Sequence, residues 1–592
     1  VAATRGNLAV RVARSLSRHW VRSLLVVAGL LAAWLAVCAW EIARGASEVR
    51  AGAAALSEAK SLATAEGLTE ELPLRPLDRA RADFVAASSH LAWAFLDPLR
   101  VVPVLGRQLD SLRALSGAAG QAASVGSRTL VAVHALLPGA RQAGPTRVVA
   151  LRTLAGVASR ADAQLARLDL GPGDGLVGPL ASKRREFADD LGKLRSTLAR
   201  TASAAGAGAS LLEGPTTYLV LAANNAQMHA GSGMFLQVGT MTAQSGRLSL
   251  GTLTPSGFVT VPPVVPLTGD LARNWGFLHP NTEFENLALS PQFDVSAALA
   301  AQMWPAATGQ RVEGVMAIDD VALQDLLSAT GPVVADGVTI DSADVLGYLL
   351  HDQYVGEADT STSQRRERLG AIAQAVVRAL EDRPVSVTAL ASALSHATAG
   401  RHLLLWSPSP AVERAWQATG TAGQLRADDL LVALVNRSGT KLDPYLEVDN
   451  RLTLHPHGAA TDAELQVTIT NRTPPGQGQY IGGPFPGLGT VYGEYLGYLA
   501  VNLPGDARHA LVQGYRTLVA AGPEGKTLLL AAQVDVLAGD RRTVTLTFEL
   551  PGSSGQLQVV PSARYPAENW TIQRSRGSPE HVTDAAPHLV TW

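Results

Sequence analysis

One cysteine, Cys38, stands in 592 residues, so the chain has no internal disulfide and no Cys-based metal site. Lysine is nearly as scarce. Five of the 49 basic side chains are Lys, and the Arg that replaces it comes with heavy use of Ala, Gly and Val. That is the coding bias of a GC-rich genome, and no sign of arginine chemistry. Charged residues make up 17% and the formal net charge is −2. No overall basic field exists to attract nucleic acid, and that function class is set aside. Stability has to come from packing, and at ~100–200 residues per core the length implies several units.

Long uncharged apolar runs are also rare, with one exception. Residues 24 to 40, LLVVAGLLAAWLAVCAW, carry no charge. With their flanks they predict a transmembrane helix over 21–42, about 20 residues for a hydrocarbon layer of ~30 Å. Trp20 and Trp40 would place one amphipathic ring at each interface, ~30 Å apart at ~1.5 Å per residue. A cleavable signal usually has a shorter apolar region and a small-residue cleavage site, so an uncleaved anchor is expected. Arg5, Arg11, Arg14, Arg18 and Arg22 precede the run without an acidic residue between them. The positive-inside rule then predicts a cytoplasmic tail over 1–20 and an extracytoplasmic location for everything after the span.

The remainder predicts an α+β multidomain chain. Residues 43–210 are rich in Ala, Leu and Arg at helical spacing, which predicts a helical bundle or stalk with breaks near Pro73, Pro98, Pro138 and the GPGDGLVGP of 171 to 179. Over 211–445, apolar runs (YLVLAA, 218 to 223; EGVMAI, 313 to 318) alternate with helical segments (DVALQDLLSATG, 320 to 331; ERLGAIAQAVVRALED, 367 to 382), the pattern of a central α/β domain. Over 446–592, ELQVTIT and VTLTFEL alternate strictly, placing Leu465, Val467 and Ile469 on one face and Val544, Leu546, Phe548 and Leu550 on another. This predicts a C-terminal β-sandwich of ~7 strands.

The stretch NNAQMHAGSGMFLQ, 224 to 237, follows the YLVLAA run and concentrates polar side chains and glycines. Asn and Gly serve plain turn chemistry. The segment is read as a structural turn at the rim of a cleft, with ligand contact by Asn225 or His229 as the alternative. It resembles the signature of the bacterial domain-of-unknown-function family numbered four thousand and twelve, an apolar strand leading into N-N-A-E-[LM]-R-x-x-G-G-F. Further stretches of the same resemblance are PVLGRQL (103 to 109), VEGVMAIDDVALQDLLSATGPV (312 to 333) and SGTKLDPY (438 to 445). Gln227, His229 and Ser232 stand where that pattern has Glu, Arg and Gly, which weakens ionic grip on a phosphate or metal.

A second resemblance is to the LytR-CpsA-Psr phosphotransferases, carried by the order of strand, polar loop, GV-x-x-ID-x-x-x-L-x-x-LL, ADVLGYLL (343 to 350) and QRRERLGAIAQAVVRAL (364 to 380). It implies an LCP-like central domain that moves a glycopolymer from polyprenyl pyrophosphate to the cell wall. Arg365, Arg366 and Arg368 would hold phosphate, and Asp359 would hold Mg²⁺. The plain alternative is a solvated helix start with Arg and Glu paired across a turn. Asn224 and Asn225 stand where those enzymes have Asp and Arg, and they bind metal poorly.

Of the remaining constellations, Asp319-Asp320 reads as a helix N-cap rather than a metal pair, and His455 and His457 lack a third ligand for zinc. Three functions stay open. The chain is an envelope protein that recognises a lipid-linked or cell-wall glycan, with the bilayer and envelope proteins as partners. Alternatively it is an active phosphotransferase using Mg²⁺, or a non-catalytic organiser of a membrane complex. No cofactor is required by the first and last.

Overall fold

The computed structural model describes residues 4–62, 74–140, 143–335, 337–355 and 362–592. The chain divides into two compact units, residues 1–135 with 156–201, and residues 136–155 with 202–592.

The first unit is helical. Thr4–Leu62 forms one helix of 59 residues. Within it, Leu30–Lys60 is long and apolar enough to cross a membrane by length and composition, a property of anchors and signal sequences alike. Small residues let its neighbour approach closely. A Cβ added at Gly52 would lie 3.1 Å from the Phe84 ring, and one at Gly45 would lie 3.2 Å from Leu91. Phe84, on helix Leu74–Leu91, is buried with Ala55, Ala80, Ala119 and Ala123. Glu41 and His90 pair at 2.7 Å beside this contact.

The second unit contains three large sheets. The first is mixed, in the order Arg247–Leu250, Gly233–Gln244, Thr216–Met228, Gly314–Ile318, Leu403–Trp406. Thr216–Met228 runs antiparallel to Gly233–Gln244 and parallel to Gly314–Ile318. The runs read as buried strands therefore lie at the centre of this sheet, with Leu219 and Leu221 fully buried. Helices Asp320–Thr330 and Thr362–Asp382 form as their apolar spacing predicts, and Val321, Leu327, Ile372 and Val376 meet in a core of their own.

The strand-rich region holds two six-stranded sheets. One runs Arg508–Gln513, Arg541–Pro551, Ala460–Asn471, Leu446–His457, Asn569–Arg574, Glu580–Thr583; the other runs Leu518–Glu524, Thr527–Val536, Tyr495–Leu503, Asp429–Asn436, Gln556–Val559, His588–Thr591. Their facing side chains share one core, to which Leu465, Val467, Ile469, Val544, Leu546, Phe548 and Leu550 contribute, as alternation requires. Strand Asp429–Asn436 is buried along its whole length. Its Leu430, Val432 and Leu434 enter that core, while Leu431, Ala433 and Val435 face the opposite way into the core beneath the mixed sheet.

Candidate functional site

The hairpin ladder between Thr216–Met228 and Gly233–Gln244 slips by one residue between Ala222 and Ala223, breaks after Asn224 paired with Met234, and resumes at Met228 paired with Gly233. Residues 225–227 bulge out of it, which re-aims their side chains and leaves their backbone groups to other partners. The resulting loop is buried rather than a rim. Asn225 and His229 are 0% exposed, Asn224 and Ser232 2%, and Gln227 6%. Gly231 and Gly233 are required by space. An added Cβ would lie 2.4 Å from the Ser290 carbonyl oxygen at the first and 2.4 Å from that of Asn224 at the second.

Asn225 is the centre of a polar network. Its backbone N–H donates to Asp320 Oδ2 at 3.0 Å, and the Asp320 N–H donates back to Asn225 Oδ1 at 3.1 Å. Its Nδ2 donates to Asp319 Oδ2 at 2.9 Å and to the Ala563 carbonyl at 2.8 Å. Asp319 is the N-cap expected from sequence, its Oδ1 accepting from the N–H groups of Val321 and Ala322. The same carboxylate meets His402 Nδ1 at 2.7 Å in a pair shielded from solvent. Burial alone would lower the His402 pKa, but the Asp319 charge and hydrogen bond raise it above its ordinary value. Burial, helped by the neighbouring Asp319 charge, pushes the Asp320 carboxyl up to about 7 although Asn225 and Lys441 pull it down.

A second node lies at Asp443. Its Oδ2 accepts from the Met228 N–H at 3.1 Å and from Asn436 Nδ2 at 2.8 Å, and its Oδ1 accepts from Arg564 at 3.2 Å. Both members of the Asp443–Arg564 pair are sealed from solvent. Burial raises the Asp443 pKa even against the Arg564 charge. Among the described residues no partner is hydrogen-bonded to either ring nitrogen of His229, and burial, with the Arg437 charge, drives its pKa down to about 3. It is a neutral, packed ring at physiological pH.

The network reaches the surface through Tyr354, with Lys441 buried beside it. Lys441 Nζ donates to Gln227 Oε1 and lies 5.4 Å from the centroid of the Tyr354 ring. Asn224 Nδ2 donates to the Tyr354 hydroxyl at 3.1 Å. Tyr354 stacks on Tyr480 at 6.5 Å with the planes 15° apart, and Tyr480 meets Phe485 edge-on at 6.5 Å. His351 and Gln477 approach at 3.2 Å in the same neighbourhood. Tyr480 is 42% exposed.

Of the residues singled out from sequence, the structure brings Asn224, Asn225, Gln227 and His229 into one loop and turns all four inward. Asp359 lies outside the described residues. Arg365, Arg366 and Arg368 lie in the first turns of helix Thr362–Asp382, but their side chains are outside the described residues. His402, Arg564, Tyr354 and Tyr480 were missed. Lys441 and Asp443 lay in the quoted SGTKLDPY and could have been found there. For metal, one group among the described residues has ligand atoms within reach of a single ion: His457, Asp462 and Glu549, at the solvent-facing edge of the strand-rich region. Asp462 and Glu549 are directly opposite on neighbouring strands. His457 pairs with Asp462 at 3.2 Å, which accounts for the cluster as a surface ion pair.

No curated protein matches the chain. Among solved structures, a "putative nutrient binding protein" from Legionella pneumophila is similar over 24% of this chain at 8% identity and a TM-score of 0.15. The match spans 55% of that protein's length. A likeness of that size carries no argument about fold or ligand. The signature read in the sequence is borne out: residues 213–354, from the end of the helical region through the hairpin and the Asp319 cap to Tyr354, match the family described as Protein of unknown function (DUF4012).

Proposed function

We propose that this chain is a single-pass, membrane-anchored extracytoplasmic protein of the cell envelope that recognises a lipid-linked or cell-wall glycan without transferring it. The observation that carries the reading is the ledge of Tyr354, Tyr480 and Phe485 bordered by His351, Gln477 and Lys441. A sugar ring presents C–H groups of slight positive polarity on its faces, and these pack against the negative face of an aromatic ring. Its hydroxyls then need donors and acceptors at the rim, which His351 and Gln477 supply. On this reading the hairpin loop acts from beneath, Asn224 holding the Tyr354 hydroxyl and Gln227 the Lys441 ammonium. Asp319 and Asp443 are occupied in internal hydrogen bonds, which favours a positioning role over catalysis. The basic residues ahead of the apolar run favour a cytoplasmic N-terminus.

The test uses the full chain in detergent, sedimented with purified cell-wall sacculi and, separately, with polyprenyl-pyrophosphate glycan in vesicles. Retention is expected to fall for Tyr480→Ala and to persist for Tyr480→Phe, which keeps the ring. Equal retention of wild type and Tyr480→Ala in both arms rejects the ledge. A protease added to intact spheroplasts is expected to remove most of the mass, and full protection would reverse the topology.

A further inference from the structure

The turn between helix Leu74–Leu91 and helix Pro103–Ala140, together with the first turn of the second helix, reads WAFLDPLRVVPVLG, residues 93 to 106. It is built the wrong way round for a loop in water. Phe95 is 58% exposed, Val101 83%, Val102 44%, Val104 64% and Leu105 49%. Five large apolar side chains exposed within eleven positions are a concentration that soluble surfaces avoid. The only charges between 93 and 106 are Asp97 and Arg100, which pair at 3.0 Å, and the Arg100 guanidinium also lies 3.5 Å from Asp110. Arg100 is further tied down by the Leu91 carbonyl at 3.1 Å. The tip is held in shape by a close reversal, for a Cβ at Gly106 would lie 2.2 Å from the Arg100 carbonyl oxygen. Trp93 and Phe95 stack at 4.6 Å.

The position of this tip relative to the apolar helix says what covers it. Trp34 Nε1 donates to the Phe95 carbonyl at 3.1 Å, and Cys38 Sγ reaches the same oxygen at 3.6 Å. Both residues lie inside the uncharged run of 24 to 40. Trp34 is six positions before Trp40, hence ~9 Å deeper along the helix axis. If Trp40 marks an interface, Phe95 lies well below it. Around this contact the helix itself exposes Leu30, Leu31, Leu35, Val37 and Trp40. The turn therefore continues the lipid-facing surface of the anchor.

We propose that residues 93–105 are a second membrane element, a wedge whose Phe95, Val101, Val102, Val104 and Leu105 enter the acyl chains of the leaflet nearer the globular part, alongside the anchoring helix. The Asp97–Arg100 pair enters already joined, and Trp93 lies toward the boundary where such rings concentrate. The wedge gives the helical region a second point of attachment and fixes its tilt on the membrane. The inference rests on the anchoring of the first helix, and its test separates the two.

The full chain, with Cys38→Ala as background, is reconstituted in phosphatidylethanolamine and phosphatidylglycerol vesicles. It carries the environment-sensitive fluorophore NBD at one new cysteine at a time: Leu31→Cys on the anchor, Val101→Cys and Val104→Cys on the wedge, and Val177→Cys on an exposed turn as the aqueous reference. Emission at 101 and 104 is expected to be blue-shifted and mostly lost to nitroxide-bearing lipids, as at 31, while 177 keeps its intensity. If 31 is quenched and 101 and 104 behave like 177, the wedge is refuted and the anchor stands. If 31 is not quenched either, both fall. Circular dichroism of each labelled protein checks that the helices persist, and a Val101→Ser, Val104→Ser, Leu105→Ser variant, whose fold does not need those exposed side chains, is expected to lose quenching at a label on position 95.

Discussion

Asp320 offers the sharpest quantitative test of the buried network. Its carboxyl lies beneath the Asn225 bulge with 5% exposure, and burial moves its pKa from 3.8 to about 7. The sign follows from the direction. A folded value above the unfolded one means that the contribution to stability is fully present below pH 3.8 and is lost as pH rises to about 7. At ~1.36 kcal/mol per pH unit, that interval corresponds to roughly 4 kcal/mol. Asp320→Asn removes the titration while its amide oxygen can still accept from the Asn225 N–H. The full chain is unfolded with urea between pH 4 and pH 9, following the fluorescence of the buried Trp275 and Trp570. The stability of Asp320→Asn relative to wild type is expected to climb between about pH 4 and pH 7 and then level off. His402 titrates in both proteins and largely cancels in the difference. A difference that stays constant over the whole range would refute the buried carboxyl.

Other substitutions probe the same joint. Arg564→Ala strands the Asp443 carboxylate and is expected to cost about 3–5 kcal/mol in urea unfolding, with part recovered when Asp443→Asn is added. Asn225→Asp puts a third carboxylate against Asp319 and Asp320, and it is expected to lower the melting temperature at pH 8 far more than at pH 4. Gly233→Ala forces a Cβ onto the Asn224 carbonyl and is expected to cost at least ~1–3 kcal/mol, read as a shift in the urea midpoint. Because the His402 pKa is raised by Asp319, the stabilisation from that pair is present below about pH 6.5 and lost as pH rises through the folded value. His402→Gln is accordingly expected to flatten the decline of stability with pH above that point.

The local signals in the sequence were enough for many of the elements, although 446–592 holds eleven strands where about seven were expected, because several are only four to seven residues long. Leu465, Val467 and Ile469 alternate because a strand puts every second side chain on one face, and the periodic apolar positions of 367 to 382 make a helix for the equivalent reason. Asp319 was legible as a cap because its partners, the N–H groups of Val321 and Ala322, are its near neighbours. The burial of 224 to 237 was not legible. Its partners come from Asp319, Asp320, Lys441, Asp443 and the Ala563 carbonyl, up to 338 residues away. A bulge also breaks the alternation that would have marked the loop as strand. Polar side chains in a glycine-containing loop look the same in sequence whether they face water or a distant carboxylate. The aromatic ledge was hidden in the same way, since Tyr354 and Tyr480 meet only in three dimensions.

Strand Asp429–Asn436 serves as a party wall. Its alternate side chains belong to different interiors, so a break in the chain beside residue 446 would take from the strand-rich region one of its own central strands. Neither tenant can be evicted and studied alone without exposing Leu430, Val432 and Leu434 on one side or Leu431, Ala433 and Val435 on the other. Melting of one interior should drag the other with it, and sequence drift in either is answerable to both.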